Sequence, residues 1–600
     1  MFTKFLAEHD PSEYHFRSDL FPTIEDRAFW EAYSSDEIIA KAEAELDYPW
    51  PIVKATDYIA FKESGDRLTM ETVHFDRRQH LFLFAAAELK ENKGRFLPQL
   101  VNGIFTICEE SYWGVAAHAI NRWVENFRIP TPAEPYFELF AAETAEHLAV
   151  IASILRKPLM TYCPEILDRI EYELRTRIRD PYVTRYDFNW MGYGIARINN
   201  WTPWILSNVA TVFLLTEQDK RCKERAIRKM LFEMQKYYIT IPSDGGCDEG
   251  TSYWGHAGAS LFEFLYQLKC ATDGKLDLFG NERVKHIAAY MKKAHIVSDT
   301  FINFADCHVT GRASLMPLLY GFARETKQPD LMNFAAAVWN EKRTAQSAVS
   351  YRYQNLRRAI YDAQFLHEMD RYPIRYPLHE SYECLPDLQV GVIRAGNFAL
   401  AAKGGTNDEC HNHNDVGNFT LYDGTTPVLV DVGINTYSRV TFSSERYTIP
   451  WVRSVYHNLP TLNGVEQQNG AAFRADRFAV DQQSIHIDFA NAYPSTAAVT
   501  SLTRTMMLSE NGLILTDRFS FTGKAAVEEV LMSVLPVRVD GNTVVLDERY
   551  RITADDGQFR TEFVPFEDRL LESDWQCEGV TRIILSSDET TAVTITIEKL

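Results

Sequence analysis

Residues 248–260 read DEGTSYWGHAGAS and place Tyr253 and His256 just after an acidic, glycine-containing turn. A tyrosine hydroxyl can donate or accept a proton, but its ordinary pKa of about 10 means that it needs a polarising neighbour to act as a base. A shorter copy, SYWG at 111–114, lacks the acidic lead-in. The motif is therefore either a packing device used twice or a device whose second copy carries chemistry.

The densest group of chemically capable side chains lies in CHNHNDVGNF, residues 410–419. His411 and His413 alternate, so both would lie on one face of an extended segment. Asp431 ends the next predicted strand, and His457 follows in YHN at 456–458. Two imidazoles and a carboxylate suit a divalent metal such as zinc. His457 could complete a metal set with His413 and Asp431, although a lone histidine is more often a hydrogen-bonded core residue.

Paired asparagines, Asn199 and Asn200, stand before a predicted helix that begins near Thr202 and Pro203. They are either part of a capped loop or a source of amide hydrogen bonds to a substrate carboxylate. Both interpretations stay open from the residues alone.

The remaining sequence indicates how these stretches are positioned. Up to about residue 340, segments such as FELFAAETAEHLAVIASILR repeat apolar residues at helical spacing, which favours stacked helical hairpins in a solenoid or an α/α toroid. After about residue 375, short Val-, Ile- and Thr-rich segments alternate apolar and polar residues between Gly-containing turns, which favours an antiparallel β-sandwich. We predict domains of residues 1–375 and 376–600, with the boundary in the Pro- and Tyr-rich segment 371–387.

Composition limits the classes of partner. The net charge of −20 argues against a nucleic-acid binder, and no apolar run is long enough to span a membrane. No secretory leader is visible, so we expect a cytoplasmic protein, or a periplasmic or secreted one if a leader was trimmed. The nine cysteines do not show the spacing of a disulfide framework, which favours reduced thiols. The sequence leaves the oligomeric state open, including a homodimer.

At these stretches the chain resembles the heparinase II/III-like family of polysaccharide lyases. NNW, DGGCDEGTSYWG, HNHNDVGNF…LVDVG and YHN occur in the family's order. The resemblance implies an N-terminal α/α toroid, a C-terminal antiparallel β-sandwich, and cleavage of uronic-acid glycans, of glycosaminoglycan or alginate type, by β-elimination.

The resemblance also implies roles for individual residues. Tyr253 matches the catalytic tyrosine, His411 the catalytic histidine, and Asn200, or alternatively Asn199, the group that neutralises the substrate carboxylate. The ligands of a structural zinc would be His413, Asp431 and His457. The residues expected to contact an anionic uronate oligo- or polysaccharide are Asn199, Trp201, Glu249, Trp254, His256, Arg446 and Arg453.

One departure from the family is Trp201, which stands where many relatives have a histidine after the paired asparagines. Asn200 is then the expected neutralising group, and an elimination based on that histidine is in doubt. We expect a neighbouring cation, such as His411 or an arginine, to lower the pKa of Tyr253 so that it takes the C5 proton and returns it to the leaving oxygen.

Three rival functions remain. A glycoside hydrolase on an α/α toroid would use Asp244 and Glu249 as its acid and base. A catalytically silent protein would bind uronate glycans without cleaving them. A His/His/Asp metal oxygenase would need a redox metal with open coordination positions.

Overall fold

The computed structural model describes residues 10–33, 37–123, 129–131, 135–194, 197–342 and 355–600. Its N-terminal part is an α/α toroid. The helices are α1 (Arg27–Tyr33), α2 (Glu37–Ala44), α3 (Ala55–Ser64), α4 (Leu68–Glu91), α5 (Leu97–Cys108), α6 (Ala116–Trp123), α7 (Leu139–Ile154), α8 (Arg156–Tyr162), α9 (Glu165–Leu174), α10 (Asp180–Thr184), α11 (Trp201–Thr216), α12 (Lys220–Thr240), α13 (Thr251–Trp254), α14 (Gly258–Ala271), α15 (Glu282–Lys293), α16 (Met316–Glu325), α17 (Pro329–Lys342) and α18 (Leu356–Met369).

The burial of helix α11 among other helices explains its apolar sequence. It contacts α7, α12 and α14, and nearly all of its side chains from Thr202 to Leu215 are buried. A helix surrounded by other helices needs apolar residues on every face. The run WTPWILSNVATVFLL therefore shows little amphipathic pattern.

A small hairpin interrupts the helices, where the sequence predicted helices alone. Strands β1 (His295–Val297) and β2 (Thr300–Phe301) pair antiparallel, with Ser298 in the left-handed region at φ 54° between them. The hairpin leads into the loop of residues 302–312, which lies at the junction of the two halves.

The C-terminal part is a sandwich of antiparallel sheets. Its strands are β3 (Tyr382–Leu385), β4 (Val390–Ala395), β5 (Phe398–Lys403), β6 (Thr406–Asn407), β7 (Phe419–Asp423), β8 (Thr426–Leu429), β9 (Pro460–Leu462), β10 (Gly470–Arg474), β11 (Arg477–Val480), β12 (Ser484–Asp488), β13 (Val499–Ser509), β14 (Gly512–Phe521), β15 (Ala526–Ser533), β16 (Val537–Asp540), β17 (Thr543–Leu546), β18 (Tyr550–Ala554), β19 (Gln558–Pro565), β20 (Gly579–Asp588) and β21 (Ala592–Lys599). A further helix, α19 (Arg569–Trp575), lies between β19 and β20.

The larger sheets have the orders β11-β12-β13-β14-β21-β18-β17-β16, β19-β20-β15-β9 and β3-β4-β5-β7-β8. The last of these is covered on both faces. Along β5, Leu400 and Ala402 belong to the sandwich core, whereas Ala399 and Ala401 pack into the toroid core. Because successive side chains of a strand point to opposite faces, residues 398–402, FALAA, are apolar throughout rather than alternating.

The same sheet therefore joins the two halves. Helix α18 ends at Met369 and β3 begins at Tyr382, and the predicted division between residues 375 and 376 falls in the segment between them. No helix among the described residues combines the length and the apolar character that a bilayer crossing requires.

Candidate active site

The paired asparagines at the start of α11 have different partners. The helix begins at Trp201 rather than at Thr202, and the Oδ1 of Asn199 accepts the backbone N–H of Trp201 at 3.1 Å. The buried Asn200 instead donates its side-chain amide to Glu249, and its backbone N–H donates to the same carboxylate at 3.1 Å. Asn199 thus shapes the helix start, and Asn200 holds a carboxylate.

Two glycines allow the toroid loop 304–307 to fit between the turn at residues 248–253 and the sandwich. At Gly250, with φ 87°, a Cβ would lie 2.3 Å from the Cys307 sulfur. At Gly433, with φ 82°, a Cβ would lie 2.7 Å from the Cys307 carbonyl oxygen. Any larger residue would separate these layers, so the glycines bring the turn that holds Tyr253 close to the sandwich.

Asp306, carried by this loop, connects the groups of the site. Its Oδ2 accepts from His411 Nδ1 at 2.9 Å and from the Tyr437 hydroxyl at 2.9 Å. Its Oδ1 accepts from His413 Nε2 at 3.0 Å and from Arg446 at 2.6 Å. Burial opposes ionisation of Asp306, but the hydrogen bonds from the histidines and the charge of Arg446 outweigh it and hold its pKa well below the ordinary value. The carboxylate is therefore an anion that fixes four side chains.

The backbone is strained at both ends of the contact between Asp306 and His411. Ala305 and His411 adopt left-handed φ angles of 65° and 56°, which cost a non-glycine residue about 1 kcal/mol or more each. His411 and His413 lie in a turn rather than in the extended segment expected from their alternation. Both rings nevertheless reach Asp306.

Tyr253 and His411 meet although they come from different halves of the chain. Their ring centroids are 4.1 Å apart at an interplanar angle of 26°, and both side chains are half-buried. The hydroxyl of Tyr253 contacts that of Tyr437, and Nε2 of His411 lies 3.3 Å from Glu249 Oε2. The structure thus places a phenol and an imidazole side by side, next to Asn200.

The expected lowering of the Tyr253 pKa is wrong for this arrangement. Burial, followed by the nearby carboxylates of Asp306 and Glu249, raises the pKa of Tyr253 well above the ordinary value. His411 and the nearby arginine, Arg446, bond to Asp306 instead. Tyr253 is therefore a neutral phenol, which is a proton donor.

The pKa of Glu249 is raised, whereas that of Asp306 is lowered. Burial raises the pKa of Glu249 to about 7, against the charge of His411 and the hydrogen bonds from Asn200, while Asp248 raises it further. The carboxyl group can therefore change its protonation state near neutral pH.

The predicted metal ligands also converge. One ligand atom from each of His413, Asp431 and His457 lies within 4.8 Å of the others, and all three residues are buried. The Nδ1 of His413 and both ring nitrogens of His457 have no hydrogen-bond partner; His457 Nδ1 lies 3.3 Å from Asp431 but without hydrogen-bond geometry. Burial lowers the pKa of His413, which favours the neutral ring that binds metals. The donor set fits a divalent cation.

Surrounding groups orient these ligands. Asp431 accepts from the Asn418 amide at 2.7 Å and from the Gly433 N–H at 2.8 Å. His413 bonds to Asp306 through Nε2, which leaves Nδ1 for a metal. A carboxylate on the far nitrogen of a ligating histidine is a common supporting arrangement in metal sites. Asp306 therefore contacts both His411 and His413, one of the two histidines of the candidate metal site.

Three of the predicted substrate contacts are used inside the protein. Trp254 is 1% exposed and donates to the carbonyl of Ile287 at 2.9 Å. The guanidinium of Arg446 donates to Asp306 and to two carbonyl oxygens. Arg453 pairs with Glu466. Trp254 and Arg446 therefore bond within the buried interior, whereas Arg453 forms a partly exposed ion pair.

Two other predicted contacts, His256 and Trp201, are half-buried on the toroid side. The His256 ring stacks on Trp204 at 3.7 Å, and burial lowers its pKa to about 3. Trp201 packs against His118 at 4.8 Å. These half-buried rings form an uncharged aromatic wall on the toroid side.

The first SYWG copy is a packing element. Tyr112 and Trp113 are buried, and the indole of Trp113 donates to the Ile107 carbonyl at 2.8 Å. The second copy differs because Glu249 and the glycine turn place Tyr253 at the junction of the two halves.

The sequence interpretation missed Asp306 and Tyr437. Asp306 lies in NFADCH, in a region predicted to be helical, and Tyr437 follows the DVG segment in INTYS. The polar Asp-Cys-His triplet was the one available signal. Neither residue lies near His411 in the sequence.

Comparison with known proteins identifies relatives of the fold and of the C-terminal part. Residues 381–579 match the family described as Heparinase II/III-like, C-terminal. No curated protein matches the chain by sequence. The fold is similar to that of a solved heparinase III, with a TM-score of 0.66, 13% identity, and coverage of 96% of this chain and 87% of that one.

Two further solved structures share the fold. For heparan sulfate lyase HepC from Pedobacter heparinus the TM-score is 0.57 at 12% identity, covering 100% of this chain and 87% of that one. For the Streptomyces coelicolor A3 chondroitin AC lyase in complex with chondroitin sulphate the values are 0.58 and 10%, covering 96% and 79%. Residues 381–579 thus form a heparinase II/III-like C-terminal domain, within a chain that has the toroid-and-sandwich fold of heparinase III.

Proposed function

We propose that the protein is a polysaccharide lyase that cleaves uronic-acid-containing glycans by β-elimination. The observation that carries the proposal is the stacking of Tyr253 on His411 beside Asn200, at the junction of the toroid and the sandwich. The solved structures of similar fold are named as lyases of heparan sulfate and chondroitin. An anionic glycan is the matching substrate class.

Elimination requires removal of the C5 proton, protonation of the leaving oxygen at C4, and stabilisation of the enolate-like charge on the carboxylate. The neutral phenol of Tyr253 suits protonation of the leaving oxygen. Asp306 holds Nδ1 of His411, so Nε2 is the nitrogen left to face the substrate and accept the C5 proton. The Asn200 amide supplies a hydrogen bond to the carboxylate.

A reaction through Tyr253 alone, as both base and acid, would require the phenol to ionise first. Burial and the carboxylates of Asp306 and Glu249 oppose that ionisation. A mechanism in which His411 is the base and Tyr253 is the acid therefore agrees better with the raised pKa of Tyr253. The half-buried rings of Trp201 and His256 are proposed to contact neighbouring sugars.

The direct test is a screen of oligosaccharides of heparin, heparan sulfate, chondroitin, hyaluronan and alginate by ultraviolet absorbance. A lyase product carries a C4=C5 double bond conjugated to the carboxylate and absorbs, whereas a hydrolase product does not. We expect absorbance to rise with at least one of these glycans. Cleavage into new reducing ends without absorbance would establish a hydrolase instead.

The hydrolase alternative finds little support in the carboxylates. Asp244 accepts the Gly246 N–H at 2.9 Å through Oδ1, and the N–H groups of Asp387 and Leu388 at 2.7 and 3.1 Å through Oδ2. Both oxygens of Asp244 thus stabilise the turn and its contact with the sandwich. The residue is not a free partner for Glu249.

We further propose that His413, Asp431 and His457 hold a structural zinc ion. Two imidazoles and a carboxylate match its preferred ligands, and the ion would fix the sandwich loop that presents His411. A chelator should lower the free energy of unfolding by about 2.7 kcal/mol or more, the effect of a ligand present at 100 times its Kd. The measurements are metal content and Tm before and after chelation.

His457→Ala should lose both the bound metal and the sensitivity of Tm to the chelator. His486→Ala, which changes a histidine on β12 that bonds to Thr505 at 3.1 Å, should keep both. An unchanged Tm after complete removal of the metal would rule out the structural role.

A further inference from the structure

The carboxylate of Glu249 lies next to the place where the proposed reaction would put the carboxylate of a substrate. The backbone N–H and the side-chain amide of Asn200 both donate to Glu249, and Nε2 of His411 lies 3.3 Å from it. In the proposed reaction Asn200 also bonds to the uronate carboxylate, and His411 takes the proton from C5, the carbon that bears this carboxylate. Glu249 is 3% exposed, so solvent screens it little.

Few charges balance Glu249 in this position. His411 approaches from the sandwich loop, and Asp248 adds a like charge from the same turn. The guanidinium of Arg197 is nearby, but it pairs with Asp248 at 3.2 Å rather than with Glu249. The other titratable groups that act on it have pKa values raised by burial and are neutral near pH 7: Cys247, Cys410, Tyr237 and Tyr253. A second carboxylate brought to this place would meet Glu249 with little compensation.

Two carboxylates a few ångströms apart in a buried site cannot both stay ionised, and one of them takes a proton. A uronate in solution holds its proton weakly, with a pKa of about 3.5, as for other α-substituted carboxylates. Glu249 is already poorly solvated as an anion. The shared proton therefore belongs mainly to Glu249.

We propose that Glu249 takes up a proton from solvent when a uronate binds, and that its O–H then hydrogen-bonds to the uronate carboxylate beside Asn200. No covalent bond changes in this step, and the proton returns to solvent when the product leaves. Protonation also frees Nε2 of His411 from the Glu249 anion. The proposal rests on the proposed lyase function and makes Glu249 its proton-linked binding group.

Calorimetry measures the proton directly. A Tyr253→Phe protein, which should bind without turnover, is titrated with heparan sulfate or alginate tetrasaccharide, whichever the wild-type enzyme cleaves, in buffers of different ionisation enthalpy. With the Glu249 pKa at about 7 in the free protein, binding should take up about 0.9 proton at pH 8 and about 0.1 at pH 6. The wild-type KM should correspondingly rise, approaching tenfold per pH unit above 7.

Glu249→Gln, added to Tyr253→Phe, keeps a hydrogen-bond donor of the same shape and should abolish proton uptake while binding persists. Alone, this substitution should make KM independent of pH between 6 and 9. Asp248→Asn, in the same turn, should retain the uptake at pH 8.

Binding without proton uptake at pH 8, or uptake that survives Glu249→Gln, would overturn the role of Glu249 and leave the lyase function intact. A protein that neither binds nor cleaves any of the uronate oligosaccharides would instead contradict the proposed function itself. The two failures are therefore distinguishable.

Discussion

Tyr253→Phe should lower kcat by about 10²–10⁴-fold, the usual contribution of general acid–base catalysis, and leave KM within a few-fold of the wild-type value. The substitution removes only the hydroxyl, while the ring keeps its stacking on His411. Because the hydroxyl acts on the leaving oxygen only as the bond breaks, its loss affects the transition state more than the bound substrate. Initial rates by ultraviolet absorbance give both constants.

Tyr112→Phe is the matched control, since it removes the corresponding hydroxyl from the first SYWG copy in the toroid wall. It should leave kcat unchanged within a few-fold. A Tyr253→Phe enzyme with normal kcat would remove Tyr253 from the chemistry.

Asp306→Ala should have the largest effect on both stability and activity. It leaves Arg446 buried without its anionic partner and removes the acceptor for His411 and His413. Loss of one partner from a buried ion pair costs about 3–5 kcal/mol of unfolding free energy. Loss of the carboxylate behind a metal-ligating histidine weakens metal affinity by about 10–100-fold.

The conservative substitution Asp306→Asn distinguishes a role in positioning the two histidines from a role in stabilising the fold. The amide retains the shape but can donate as well as accept, so it no longer fixes both histidines as donors. We expect a folded protein with weaker zinc binding and a kcat lowered by about 10²-fold or more. Metal titration, denaturant unfolding and kcat are measured together.

Glu233→Gln is the control for this variant, because Glu233 is also buried and bonds to Tyr182 at 2.7 Å, but within the toroid wall. It should lower stability without changing metal affinity. If Asp306→Asn changed stability alone and left zinc affinity and kcat intact, Asp306 would be a purely structural residue.

Several features of the fold follow from local patterns in the sequence. The helical spacing before residue 340 and the Val- and Thr-rich segments after residue 375 predict a toroid and a sandwich because each element must bury one face. His411, His413, Asp431 and His457 are recognisable because clustered imidazoles and carboxylates are unusual without a ligand.

Other features depend on contacts between segments distant in sequence. The helix that contains Trp254 buries it, although SYWG alone could also present it to a cleft. Arg446 looked like an anion-binding residue, but a buried aspartate from the other half of the chain uses its charge. Burial, and then the charge of that same aspartate, raises the pKa of Tyr253.

The sequence by itself determined the two-part architecture, the residue types of the proposed metal site, and the tyrosine and histidine proposed to react. Only the tertiary structure decided that Asp306 joins His411 to His413 and that Glu249 occupies the place between Asn200 and His411. Secondary structure depends on periodicity over a few residues, which a sequence displays directly. A pKa depends instead on burial and on charges within a few ångströms, and the chain brings those together only when it folds.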